Sequence, residues 1–179
     1  MLILDEIWGN AWKNIGTNPV PFSKFYTSYN ANHRHYHNQT HIIEGLLVLN
    51  KYKKLAKNYN EIVIAWMLHD IVYDVTEHNN EEMSAAFINN INIAADKKER
   101  IKKMILATKH DGSAETSDEK LIVDIDLSIL ASSPERFREY DDCIRKEYSF
   151  VPDDLFKKER LKILNKFLSM DKIYYYLVS

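Results

Sequence analysis

The sequence predicts an all-α fold, and three observations carry the prediction. Apolar residues recur three and four positions apart in one segment after another, the period of a helix with one buried face. Only 4 Gly and 4 Pro occur in 179 residues, which leaves little material for the turns of an all-β protein. A composition of 45% hydrophobic and 28% charged residues is that of an ordinary globular chain, at a length that suits one domain. Neither an internal repeat nor a linker marks a domain boundary.

Leu4, Ile7, Trp8 and Ala11 share a face, so residues 2–15 should form an amphipathic helix that ends near Gly16. Asn18-Pro19-Val20-Pro21 breaks the chain, and Phe22, Phe25, Tyr26 and Tyr29 then fit a short aromatic helix packed on the core. A histidine-rich stretch, Asn32 to His41, leads into Ile42, Ile43, Leu46, Leu47 and Leu49, read as a long helix reaching about Lys57. His37, His41 and Glu44 fall on one face of it.

Ile62 to Leu68 is apolar without a break and ends in His69-Asp70. Its β-branched start makes a buried strand a rival, but the run exceeds usual strand length and no glycine turn follows, so a helix is preferred. A run apolar on every side must be buried on every side. Asn79 or Asn80 reads as a cap with Glu81 and Glu82 in the first turn, followed by a stripe of Met83, Ala86, Phe87 and Ile91. Asp96 to Lys109 is a helix with Ile101, Met104, Ile105 and Thr108 inward and a solvated basic face. Asp111 to Asp118 is the best candidate for a mobile loop, a place where a lid can form.

Leu121 to Leu130 again embeds acids, Asp124 and Asp126, in an apolar run. Two positions apart on a helix, they point to different sides, so only one joins a common site easily. Ser133-Pro134 opens a helix through Phe137, Tyr140, Ile144 and Tyr148. Asp154 to Leu168 is the last amphipathic helix, and the Tyr174-Tyr175-Tyr176 tail packs back.

Charge and composition exclude several functions. With 24 Lys+Arg against 26 Asp+Glu, nothing points to a binder of duplex nucleic acid. The single cysteine, Cys143, allows neither an internal disulfide nor a multi-cysteine zinc site, and it lacks a catalytic-thiol setting. No segment reaches the ~20 apolar residues of a membrane span. The first eight residues carry two acids and no basic leader, so a secretory signal is not expected and a cytoplasmic protein is. The aromatic faces serve either the core or a homodimer.

The chemistry sits in the histidines. An imidazole and a carboxylate at the end of a buried run need a partner, and a metal ion bound by both is one. A core histidine hydrogen-bonded to its neighbour is the other reading. Two histidines four apart, His37 and His41, can bind one metal. Asn38 follows the first where a zincin-type protease needs its glutamate, which excludes that protease.

A histidine, a His-Asp doublet and a later aspartate, in this order on helices, resemble the HD-domain superfamily of metal-dependent phosphohydrolases. The stretches Arg34-His35-Tyr36-His37-Asn38, Trp66 to Asp74, Asn80 to Ala85, Asp124-Ile125-Asp126-Leu127 and Ile144 to Tyr148 are similar to a subgroup of predicted HD phosphohydrolases. The likeness covers residues of about 30 to 175 and implies a single HD-domain bundle over residues 1–179, with the metal site between central helices and the N-terminal helix packed on it. It implies His37, His69, Asp70 and Asp126 as metal ligands, with Asp126 preferred to Asp124 for its Ile-Asp-Leu context. It leaves His41 a supporting role and makes His110 a candidate ligand for a second ion.

That donor set suits a divalent transition metal such as Mn, Fe, Co, Ni or Zn. The implied reaction is hydrolysis of a small-molecule phosphoester, for example a nucleotide, by a metal-activated water. Arg34, Lys109 and Arg145 are candidate phosphate-binding cations, and Asp74 or Glu81 the candidate general base. A metal- or nucleotide-binding module without chemistry is the alternative.

Overall fold

The computed structural model describes residues 2–177. Among them the protein is a single bundle of nine α-helices joined by short turns, three of them 3₁₀, with no strand. The helices are α1 (Leu2–Asn14), α2 (Phe22–Tyr29), α3 (Gln39–Lys51), α4 (Tyr59–Leu68), α5 (Asn80–Ala86), α6 (Ala95–Ala107), α7 (Ser117–Leu127), α8 (Pro134–Glu147) and α9 (Asp153–Leu168).

The apolar run at 62–68 is the axis of the bundle. It forms α4, whose residues Glu61 to Leu68 are all buried, and it packs against α1, α3, α6 and α7. Enclosure from four sides explains why a β-branched segment is helical, since packing outweighs a propensity difference of a few tenths of a kcal/mol per residue. Glu61, the acid within this run, is held by a two-pronged bond from Arg100 of α6 at 2.7 and 2.8 Å. A buried carboxylate left without that partner would be strongly destabilising.

Trp66 sets the distance between α3 and α4. Its indole Nε1 donates to the Ile42 carbonyl at 2.9 Å, and its ring fills the space beside Gly45. A methyl group at Gly45 would stand 2.1 Å from the indole carbons. Gly45→Ala is therefore expected to destabilise the fold by about 2 kcal/mol or more, read as a lower denaturation midpoint with an unchanged slope. A midpoint equal to wild type would show that the helices part without cost.

Several elements differ from the sequence reading. The long helix expected to carry His37, His41 and Glu44 and to reach about Lys57 ends at Lys51, and a 3₁₀ turn at Lys53–Leu55 follows. Its first turn starts at Gln39, where the Asn38 side chain accepts from the Thr40 N–H. His37 thus precedes the helix, and its relation to His41 is set by a loop. The stripe expected after Asn80 holds in part: Phe87 and Ile91 pack on the core, but Met83 and Ala86 are exposed, and Ser84, Ala85 and Ile88 are buried instead. The helix tightens into a 3₁₀ turn at Phe87–Asn90. The loop expected at 111–118 is shorter. Thr116 and Glu119 form a reciprocal cap on α7, and buried Asp118 accepts from the backbone N–H groups of Lys57 and Asn58.

α9 buries none of its residues in the core. The chain end does pack back, and Asp124 holds it there, accepting from the N–H groups of Tyr175, Tyr176 and Leu177 at 2.8, 2.6 and 3.0 Å.

Candidate metal centre

Three side chains from three central helices converge. His41 comes from the first turn of α3, His69 caps the C-terminus of α4, and Asp126 lies near the end of α7. One donor atom from each lies within 4.8 Å of the other two, and both imidazoles are buried. The Nε2 atoms of His41 and His69 are 3.3 Å apart, and the Oδ1 of Asp126 stands 3.4 Å from the first and 3.7 Å from the second. Asp70 adds a second carboxylate, its Oδ2 3.0 Å from His69 Nε2 and 3.8 Å from His41 Nε2. The helix end explains the doublet. With α4 finished at Leu68, His69 and Asp70 turn out of the apolar run and aim at one point.

The second ring nitrogens show that these donors fit a cation. His69 Nδ1 lies 2.7 Å from the Trp66 carbonyl, which only accepts, so Nδ1 carries a proton and Nε2 faces the cluster, where its lone pair serves a cation once the second proton has left. The two Nε2 atoms stand 3.3 Å apart and are flanked by two carboxylates, a donor set that a cation would satisfy in common. The group is capable of coordinating a divalent metal ion.

His37 stands beside this group. Its Nδ1 is 2.7 Å from Glu147 Oε2, so the proton sits on Nδ1 and the Nε2 lone pair is free. Glu147, at the end of α8, has a fully buried carboxylate that also accepts from the N–H groups of Tyr36 and His37 and from the Tyr73 hydroxyl. The sequence reading assigned no role to Glu147. The signal was present, since Glu147 falls three residues after Ile144 on the face that α8 turns inward.

His110 has a backbone φ of 54°, uncommon for a residue with a side chain. Its Nε2 lies 2.7 Å from Asp126 Oδ2, and its buried Nδ1 has no partner. Asp126 is thereby shared between His110 on one oxygen and the central histidines on the other.

Proton affinities follow from this crowding. Burial opposes charge on His69, but the neighbouring carboxylate of Asp70 outweighs it and raises the imidazole to about 9. Burial alone would raise Asp70, yet His69, His37 and His41 hold it far below the usual carboxylate range. Asp126 is likewise held low against burial, chiefly by His110 and His41. For His41 burial prevails and the imidazole is lowered. For His37 burial is overcome by Glu147 and the imidazole is raised.

The other residues singled out in the sequence separate into two groups. His37, Glu81, Lys109 and His110 line one cavity of about 640 Å³ together with His69, Asp70 and Asp126. Lys109 there pairs with Glu82. Arg34, Arg145 and Asp74 do not line it. The Arg34 guanidinium donates to the carbonyls of Asp70, His37 and Ile71, tying the His37 loop to the end of α4. Arg145 closes the turn between α8 and α9 through Tyr148, Val151 and Asp153. Asp74 is exposed, with one carboxylate oxygen taken up by the N–H and hydroxyl of Thr76. Cys143 is partly buried and packs beside Tyr36, Ile129 and Ile144. No helix among the described residues is long and apolar enough to cross a membrane. No family model matches the sequence, and no curated protein or solved structure gives a match.

Proposed function

We propose that the protein is a metal-dependent phosphohydrolase of the HD-domain type, acting on a phosphoester of a small molecule. The observation that carries this reading is the convergence of His41, His69 and Asp126, with Asp70 alongside, where His69, Asp70 and Asp126 open onto a 640 Å³ cavity and His41 stands behind them. A module that only held a metal would need no chamber beside its ligands, and a module that bound a nucleotide without cleaving it is separated from a hydrolase by turnover.

In this reading His69, Asp70 and Asp126 hold a divalent ion such as Mn, Fe, Co, Ni or Zn, and the imidazoles of His41 and His37 are further donors. Held there, such an ion would supply Lewis acidity toward a water and a phosphate oxygen. The protein's own groups do the rest. Glu147 fixes the tautomer and ring plane of His37, and Trp66 does the same for His69. Glu81 faces the cavity and is the base that takes a proton from water; Asp74, exposed and bonded to Thr76, is less well placed. Lys109 is the one phosphate-binding cation of the three considered that borders the cavity, while Arg34 and Arg145 hold the neighbouring loops in place. His110 orients Asp126 through its free oxygen.

Phosphate release from a panel of phosphoesters, in each of the five metals, tests the assignment. Turnover should fall by about 10³-fold or more in Asp70→Ala, as expected when a ligand of the activating ion is removed. Turnover that survives this substitution would end the proposal. Tight metal binding with no turnover of any ester would favour the non-catalytic module.

A further inference from the structure

The chamber beyond the metal centre has a chemistry of its own. Its far wall is one face of α9, where Leu155, Phe156, Ile163 and Phe167 line the cavity. Leu155 and Ile163 are each 49% exposed, and Phe156 and Phe167 pack only in part against the core, so much of this apolar face is left to the cavity. The facing wall adds Ile129, Ile144 and the rings of Tyr140 and Tyr148.

Several polar groups of the chamber are already engaged. The Tyr73 hydroxyl donates to Glu147, the Thr108 hydroxyl to the Ile105 carbonyl, and Arg160 Nε to Asp141. The Arg160 guanidinium lies over the Tyr140 ring, and only its buried Nη2 lacks a partner. The two cations of the lining, Lys109 and Arg160, are paired with Glu82 and Asp141. A polyphosphate needs several uncompensated cations or further bound metal for its extra charges. Sugar hydroxyls and base edges need free donors and acceptors. On the α9 side the chamber offers chiefly apolar area, and its two cations are already paired.

We propose, resting on the phosphohydrolase reading above, that the substrate is a phosphomonoester of a bulky apolar or aromatic alcohol. Its single phosphate sits at the His69–Asp70–Asp126 end and its leaving group lies against the α9 face. In the reaction the oxygen of water bonds to phosphorus and the ester P–O bond breaks. The leaving oxygen is protonated at the expense of that water, giving the free alcohol and inorganic phosphate.

The experiment compares Mn-loaded full-length protein on 1-naphthyl phosphate, glycerol 1-phosphate and ATP. In parallel, calorimetry measures binding of 1-naphthylphosphonate and methylphosphonate, which are not hydrolysed. The expected result is a kcat/KM for the naphthyl ester about 100-fold above that for glycerol 1-phosphate, with ATP below both. The naphthylphosphonate should bind correspondingly tighter than the methyl compound. Ile163→Asp, at a half-exposed position where folding is safe, should cut both preferences about tenfold.

Equal kcat/KM for the two monoesters, or preference for ATP, would overturn this substrate assignment while leaving the hydrolase reading intact. Absence of all turnover, with naphthylphosphonate still bound tightly and sensitively to Ile163→Asp, would do the reverse. Equal binding of the two phosphonates, or a preference untouched by Ile163→Asp, would remove the apolar subsite.

Discussion

Replacing Asp126 by alanine is expected to lower the affinity for a divalent transition metal by more than about 100-fold. Loss of a residue that merely orients a ligand typically costs about 10–100-fold, and Asp126 is placed as a ligand itself. Its carboxylate is 3.4 and 3.7 Å from the two central imidazoles and bonds a third, His110, at 2.7 Å. The substitution therefore removes both a negative charge from the cation's surroundings and the partner that holds His110. Metal content by elemental analysis of purified protein, with titration calorimetry of the metal-free form, checks this. Circular dichroism shows whether the variant is folded, and Asp126→Asn, of nearly the same shape, separates loss of charge from loss of volume. Wild-type affinity in both variants would exclude Asp126 from the site. Asp124→Ala is the contrast: its carboxylate bonds the backbone of residues 175–177, so it should loosen the chain end and leave metal binding in place.

The metal-free protein is expected to lose roughly 3 kcal/mol of stability between pH 6.5 and 9, and added metal should restore progressively more of it as pH rises. His69 is raised from 6.5 to about 9 in the fold, so its stabilising effect is complete below 6.5 and fades as pH climbs through 9. His37, also raised, acts in the same direction. Asp70 is depressed below 3.8, so its contribution is complete above that value and fades only as pH falls further. His41 is lowered, so holding it neutral costs stability as pH drops below 6.5. Metal-free stability should accordingly peak near pH 6.5. A metal ion needs the unprotonated Nε2 of His69, hence it must displace a proton, and its apparent affinity should rise about tenfold per pH unit up to 9. Denaturant melts with and without metal at pH 6.5, 7.5 and 8.5 read both slopes. A flat metal-free profile would mean that His69 titrates as if exposed.

The helices were readable wherever the chain carries its own start and stop signals. Ser133-Pro134 before α8 and the Asn18–Pro21 break between α1 and α2 mark boundaries that hold in the structure to within a residue or two. The buried run at 62–68 was readable as the central helix because a segment apolar on all sides has nowhere else to go. Asp124 and Asp126 were readable as facing different ways from the 100° step of a helix alone, and they do: one binds the tail, the other the histidines. Local period and local chemistry suffice for such conclusions.

Other decisions depend on groups far apart in the chain. That His41 stands among the donors follows from α3 packing against α4 and α7, with Trp66 beside Gly45 setting how closely α3 approaches α4. Glu147 reaches His37 across 110 positions, and no pattern within either segment announces the pair. Arg34 and Arg145, which as a sequence read as phosphate-binding cations, spend their donors on backbone carbonyls that lie near them only in the folded chain. The apolar face of α9 looked like core in its periodicity and became the wall of a chamber instead. Periodicity tells which face of a helix leaves water; what meets that face is decided by the elements that close around it, and here those elements leave a cavity beside the histidine–aspartate cluster.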